Sequence, residues 1–230
     1  MSISHWVKTI GVFALMAIGQ SASAASSTSY DANASEWSSA TPAIPFFQIP
    51  IGGSGQVNGN FVIVSDTLSG IEIGLRANQR FSPIPLPNTL GNYFAQPGES
   101  GPGLTTWNYD IHIDLRRSAF FFEDYDIVFT TDVPNHSAPD LQAALESAGP
   151  VSPGTLGPVK LFQASLNPGF FASGIDPFAA GDYNFRLSLT PKSTFFPTLI
   201  ADITVTVVPA PAAAGAGLFG LVFLVGRRRR

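Results

Sequence analysis

Trp107-Asn-Tyr-Asp-Ile-His-Ile-Asp-Leu115 alternates apolar and polar residues without a break. Successive side chains of a strand point to opposite faces, so this segment can bury one complete apolar face only when extended. Trp107, Tyr109, Ile111, Ile113 and Leu115 share that face; Asn108, Asp110, His112 and Asp114 share the other. Tyr183-Asn-Phe-Arg-Leu-Ser-Leu189 repeats the pattern, and Tyr109, Ile111, Phe185 and Leu187 are the expected core. Further strand-like runs are Asn60 to Ser65, Ile71 to Ala77, Tyr125 to Thr131, Val159 to Leu166 and Leu199 to Val207. About seven strands joined by Gly, Pro and Asn clusters predict an all-β fold, an antiparallel β-sandwich or jelly roll. Asp66-Thr-Leu-Ser-Gly70 predicts a hairpin between two of them.

Three segments depart from the pattern. Ser137 to Gly149 predicts a short inserted helix, with Pro139 and Asp140 in its first turn and Gly149-Pro150 ending it. Asn78 to Gly103, with five prolines, reads as one long connection. Residues 25–45 open with a Ser/Ala-rich stretch, expected to be a flexible lead-in to a sandwich domain over 46–207.

The two ends read as targeting segments. Met1 to Lys8 is weakly basic, Thr9 to Gly19 apolar, and Ala22-Ser23-Ala24 a small-residue cleavage site. That is the pattern of a secretory signal peptide over 1–24, with a retained anchor as the alternative. At the other end Val208-Pro-Ala-Pro211 precedes an apolar run, 212–226, and then Arg227, Arg228, Arg229 and Arg230. As a helix those 15 residues span about 22 Å, short of the roughly 30 Å hydrocarbon core. Such a run crosses only with thinning of the bilayer or with arginines reaching the headgroups. The arginines resist translocation and leave the body on the far side of the membrane.

Val208, Pro209, Pro211 and the four terminal arginines together resemble the PEP-CTERM sorting signal of Gram-negative bacteria that make extracellular polysaccharide. In that family Val-Pro-Glu-Pro precedes the helix; Ala210 here is closer to the Val-Pro-Leu-Pro-Ala variant. The resemblance implies transient membrane insertion and recognition by an exosortase, a membrane-embedded enzyme that acts near the Pro-x-Pro. An ordinary C-terminal membrane anchor is the alternative. Trp107 to Asp114, Asp124 to Asp132, Asp176 to Leu189 and Ile203 to Val207 are similar to an uncharacterised group of PEP-CTERM proteins. In that group the last strand also runs straight into the signal. The group implies an architecture and no catalytic residue. Gly181-Asp-Tyr183 is similar to sandwich domains in which a Tyr packs at the corner where a strand begins.

Between the targeting segments 7 Lys and Arg stand against 16 Asp and Glu, a net charge near −9. Such a body repels polyanions, which argues against nucleic acid as a partner. The chain has 0 Cys, which excludes disulfides and thiol chemistry. His112 and His136 are the histidines outside the leader, and no nucleophile elbow, P-loop or zinc-protease motif accompanies them. Asp110, His112 and Asp114 lie about 7 Å apart at alternate positions, so neighbouring pairs could share a metal; a solvated face is the expected reading. Glu123, Asp124 and Asp126 are weak candidates for Ca²⁺, without the spacing of a known loop. No catalytic, cofactor or metal residue is assigned. Phe120 to Phe122, Phe170-Phe171 and Phe195-Phe196 should each leave a ring off the core for stacking on sugars, unless both layers or a loop cover it. The expectation is an exported, non-enzymatic surface or matrix protein, with exopolysaccharide as a candidate partner. The alternative is a carbohydrate-binding module or a carbohydrate-active hydrolase, whose carboxylate pair only three-dimensional spacing would reveal.

Overall fold

A computed structural model of the chain describes residues 26–35, 58–82, 84–141, 160–172, 175–193 and 195–208. The leader with Ala22 and Ala24, the tail from Pro209 through Pro211 to Arg230, and the expected helix beyond Leu141 lie outside them. Leu141 itself is helical and buried, but residues 137–140 are not helical, so Pro139 and Asp140 lie ahead of the helix and not in its first turn. The ring of Pro139 disfavours helical backbone at the residue before it. Among the described residues no helix is long and apolar enough to cross a membrane.

The described chain is mostly β-strand with almost no helix: β1 (Ser26–Ala32), β2 (Phe61–Asp66), β3 (Ile71–Gln79), β4 (Asn88–Thr89), β5 (Asn92–Ala95), β6 (Glu99–Gly101), β7 (Leu104–Thr105), β8 (Trp107–Asp114), β9 (Tyr125–Thr131), β10 (Leu161–Leu166), β11 (Gly181–Pro191) and β12 (Leu199–Val207). The first sheet has the order β1-β2-β3-β8-β10 and the second β4-β5-β12-β11-β9, with β6-β7 a separate hairpin. Every pairing is antiparallel except β5 with β12.

The predicted hairpin joins β2 to β3. Asp66 shapes it: its carboxylate accepts from the Leu68 amide at 3.1 Å and the Ser69 hydroxyl at 2.6 Å. The Gly70 amide closes the turn onto the Asp66 carbonyl at 2.9 Å. Gly70 has φ +72°, and a Cβ there would lie 2.7 Å from the Arg117 carbonyl oxygen, so only glycine fits.

One core joins the inner faces of both sheets. Ile71, Ile73, Leu75 and Ala77 of β3 and the five apolar residues of the 107–115 segment face Tyr183, Phe185, Leu187 and Leu189 of β11 and alternate residues of β12. Tyr109 stacks on Phe129 and Phe185, with ring centroids 5.2 and 4.8 Å away. Trp107 lies 5.8 Å from Tyr183, whose hydroxyl donates to the Ala179 carbonyl at 3.5 Å, just ahead of β11. The four residues expected at the core are all buried there.

Two expectations are corrected. Residues 26–32 are not a flexible lead-in but edge strand β1, paired with β2 from Ser26↔Asp66 to Ala32↔Phe61. Its Ser, Thr and Tyr side chains are exposed, so the pairing rests on backbone hydrogen bonds that hydropathy does not register. Nor is 78–103 one long loop. Leu90 and Gly91, at φ +50° and +84°, turn the chain into β5, which docks parallel beside β12 as Thr204↔Asn92 to Val207↔Ala95.

Candidate functional site

The polar side of β8 is where the structure differs most from expectation. All eight residues of the strand are buried. Asp110 and His112 are both 0% exposed, so their face is not solvated. The cause is the strand's place: β8 lies between β3 and β10, and its outer face is roofed by the segment around Ala34, Ser35 and Asn58.

Register assembles the site in rows across the first sheet. Arg76 stands opposite Asp110, Gly74 opposite His112, and Glu72 opposite Asp114. Gln163 of β10 flanks His112 on the other side. Arg76 Nε donates to Asp110 Oδ2 at 2.6 Å, Nη1 donates to the Gly59 carbonyl at 2.7 Å, and the guanidinium lies 4.4 Å from the Phe61 ring centre. His112 Nε2 is 3.0 Å from Glu72 Oε1, and its Nδ1 is 3.2 Å from Gln163 Nε2. Gly74 makes room for this arrangement, since a Cβ there would sit 2.6 Å from Ile63 Cδ1. Asp110 Oδ1 has no hydrogen-bond partner among the described residues, so the network is held chiefly through the carboxylate's other oxygen.

Ser35 ties the roof to the sheet. Its amide donates to Glu72 at 2.6 Å and its hydroxyl to Asp114 at 2.6 Å. Asp114 also accepts from the Arg116 guanidinium at 2.7 Å. Burial alone would raise the Asp114 carboxyl, but the bonds from Arg116 and Ser35 outweigh it and bring the pKa from 3.8 down to about 2. Glu72 is likewise lowered, burial being outweighed by His112 and Ser35. At the end of the same face Asn167 accepts from the Thr105 amide at 3.2 Å and donates to the Trp107 carbonyl at 2.9 Å and to Asn108 Oδ1 at 2.9 Å.

Chemically this is a set of groups spent on one another. A hydroxyl, an imidazole and carboxylates are neighbours, yet Ser35 donates to Asp114 and not to His112. Nucleophilic catalysis needs the base on the nucleophile, and that link is not made. Among the described residues no group of His, Asp or Glu could hold a metal ion. What the network does is fasten the roof. Because two of its carboxylates are held down in pKa, acid should loosen it. The stabilisation from Asp114 is complete above pH 3.8 and lost as pH falls through about 2. Asp114→Asn should therefore be less stable than the parent at pH 7, and the two melting curves should converge on acidification. Curves that stay parallel from pH 7 to pH 2 would remove Asp114 from the account.

The weak Ca²⁺ candidates do not converge on an open site. Asp124 accepts from the Phe121 amide at 2.8 Å, shaping a short 3₁₀ turn, Phe122–Asp124. Lys192 donates its ammonium to the Glu123 carbonyl at 2.9 Å and lies 3.9 Å from Asp126. A cation is already in place there. On the outer face of the second sheet a shallow cavity of about 490 Å³ is lined by polar side chains that also bond one another. Arg186 meets Asp202 at 2.7 Å and Asn184 meets Asp132 at 2.6 Å.

Two of the aromatic runs leave an exposed ring, whereas Phe120 to Phe122 leaves none, its rings being buried or half-buried. Phe122 is buried, Phe120 packs edge-on to Phe196 at 5.0 Å, and Phe171 packs on the core. Phe195 is 87% exposed and Phe170 is 43% exposed. Sequence reasoning did not single out Phe81, 77% exposed, whose ring and that of Phe170 lie 4.6 and 5.3 Å from the Arg80 guanidinium. Val208, the first residue of the Val-Pro-Ala-Pro segment, is the last one described, and its amide donates to the Ala95 carbonyl at 3.0 Å.

No family model, curated protein or solved structure matches this chain.

Proposed function

We propose that this is an exported β-sandwich protein of the cell surface or extracellular matrix, structural or adhesive in role and without catalysis. In this reading residues 1–24 are a signal peptide removed on export. The segment 208–230, with its membrane helix 212–226 and arginines 227–230, is a PEP-CTERM-like signal processed by an exosortase-type enzyme. The short inserted helix after Leu141 belongs to the same architecture. Exopolysaccharide is the matrix partner, in a polysaccharide-producing Gram-negative bacterium.

One observation carries it: the last described strand runs up to the first residue of the motif. β12 is held between β11 and β5 up to Val207, and Val208 makes a last backbone bond to Ala95. Pro209 and Pro211 cannot donate to a sheet, so they stop the ladder there. In this reading the two prolines offer an enzyme a segment that cannot extend the sheet, immediately after a paired strand. The non-catalytic reading is supported by the way the buried carboxylates and His112 are bound to structural partners.

Intact mass analysis of protein recovered from the cell surface tests both processing steps. The expected species begins at Ala25 and lacks the apolar run and the arginines. A surface species still ending at Arg230 would reduce the tail to a permanent anchor, and one beginning at Met1 would remove the signal peptide.

A further inference from the structure

We propose that the end of the fold from which the tail leaves is a membrane-seating surface, placed on the bilayer while the tail is inserted. This rests on the reading of the tail as a membrane segment and adds a second contact to it.

The argument starts from reach. Four residue steps separate Val208 from Ala212, where the apolar run begins, so at full extension they span at most about 14 Å. Insertion of that run therefore draws the end of β12 to the headgroups.

The same end exposes large apolar side chains. Contacts run from the tail outward: Val208 bonds Ala95, the Gly98 amide bonds the Pro177 carbonyl at 2.8 Å, and the Arg80 amide bonds the Thr106 carbonyl at 2.8 Å. Thr106 in turn donates to the Gln96 carbonyl at 2.7 Å. On these loops Phe178 is 64% exposed, Phe81 77%, Ile84 67% and Phe170 43%. Arg80 lies over two of the rings, and burial lowers its pKa, so its charge is already partly screened from water. Aromatic side chains on loop tips suit the headgroup layer, where one edge is wet and the other apolar.

Charge selects the lipid. Glu99, Asp176 and Asp182 lie on the loops and strand starts of this end, with Arg80 the basic group among them. An anionic surface would repel this set, so the seat fits zwitterionic headgroups.

The absence of cysteine makes the test direct. Full-length protein carrying Phe178→Cys or Phe81→Cys is labelled with an environment-sensitive fluorophore and reconstituted into phosphatidylcholine–phosphatidylethanolamine vesicles. Leu68→Cys and Phe195→Cys, on turns at the opposite ends of β3 and β11, are the controls. Circular dichroism melts confirm that each labelled variant is folded. The expected result is blue-shifted emission quenched by doxyl lipid at 178 and 81, with water-like emission at 68 and 195. Water-like emission at all four positions on protein that cofloats with vesicles overturns the seating and leaves the tail reading standing. Protein that does not cofloat overturns both.

Discussion

Asp110→Ala should cost about 3–5 kcal/mol of unfolding free energy, because it takes from a buried guanidinium the carboxylate it is paired with. Arg76 and Asp110 are 3% and 0% exposed and meet at 2.6 Å. The carbonyl of Gly59 and the ring of Phe61 remain beside Arg76 after the substitution, but neither carries a compensating charge. Replacing both members by apolar residues, as in Arg76→Met with Asp110→Leu, should cost far less than the two single changes summed. Removing a buried pair as a unit leaves no orphan ion. Urea denaturation of the parent, both singles and the double supplies the cycle. A loss under about 1 kcal/mol in Asp110→Ala would mean that the guanidinium reaches water without its partner.

The second large effect lies on the other side of the same strand. Tyr109 is fully buried, and its ring stacks at 17° on Phe129 and 28° on Phe185. Tyr109→Ala should destabilise by about 3–5 kcal/mol, combining lost transfer energy with the cavity left behind. The hydroxyl lies 3.5 Å from His136 Nε2, at the limit of a hydrogen bond. Tyr109→Phe should therefore retain most of the stability. Equal losses for Ala and Phe in thermal melts would move the effect from the ring stack to that hydroxyl.

Adjacent residues of β8 thus sit in opposite kinds of interior, and only one of these was legible from sequence. Alternation identified Tyr109 and Ile111 as core because period two needs no knowledge of neighbours. The burial of Asp110 and His112 depends on what lies across the strand and above it. β3 holds the complementary signal: Glu72, Arg76 and Asn78 alternate with Ile71, Ile73, Leu75 and Ala77. Pairing Arg76 with Asp110 requires the register, and register requires knowing that β3 and β8, far apart in sequence, are neighbours. The roof at Ser35 was hidden for the same reason, since its partners Glu72 and Asp114 are 37 and 79 residues away. β1 was missed because a run of Ser and Thr carries little hydrophobic signal, although its backbone pairs as well as any other. The hairpin at Asp66 was readable because its chemistry is local.

The position of β12 also fixes how a tethered body bears load. A pull on the tail enters at Val208 and runs along the strand axis, away from Leu199. It meets nine residue pairs with β11 and four with β5. Those pairs lie across the line of force, so they must slide together instead of parting one after another. Under the proposed tethering, drag on the body is thus met by the middle of the second sheet, and the grip is shared by two flanking strands.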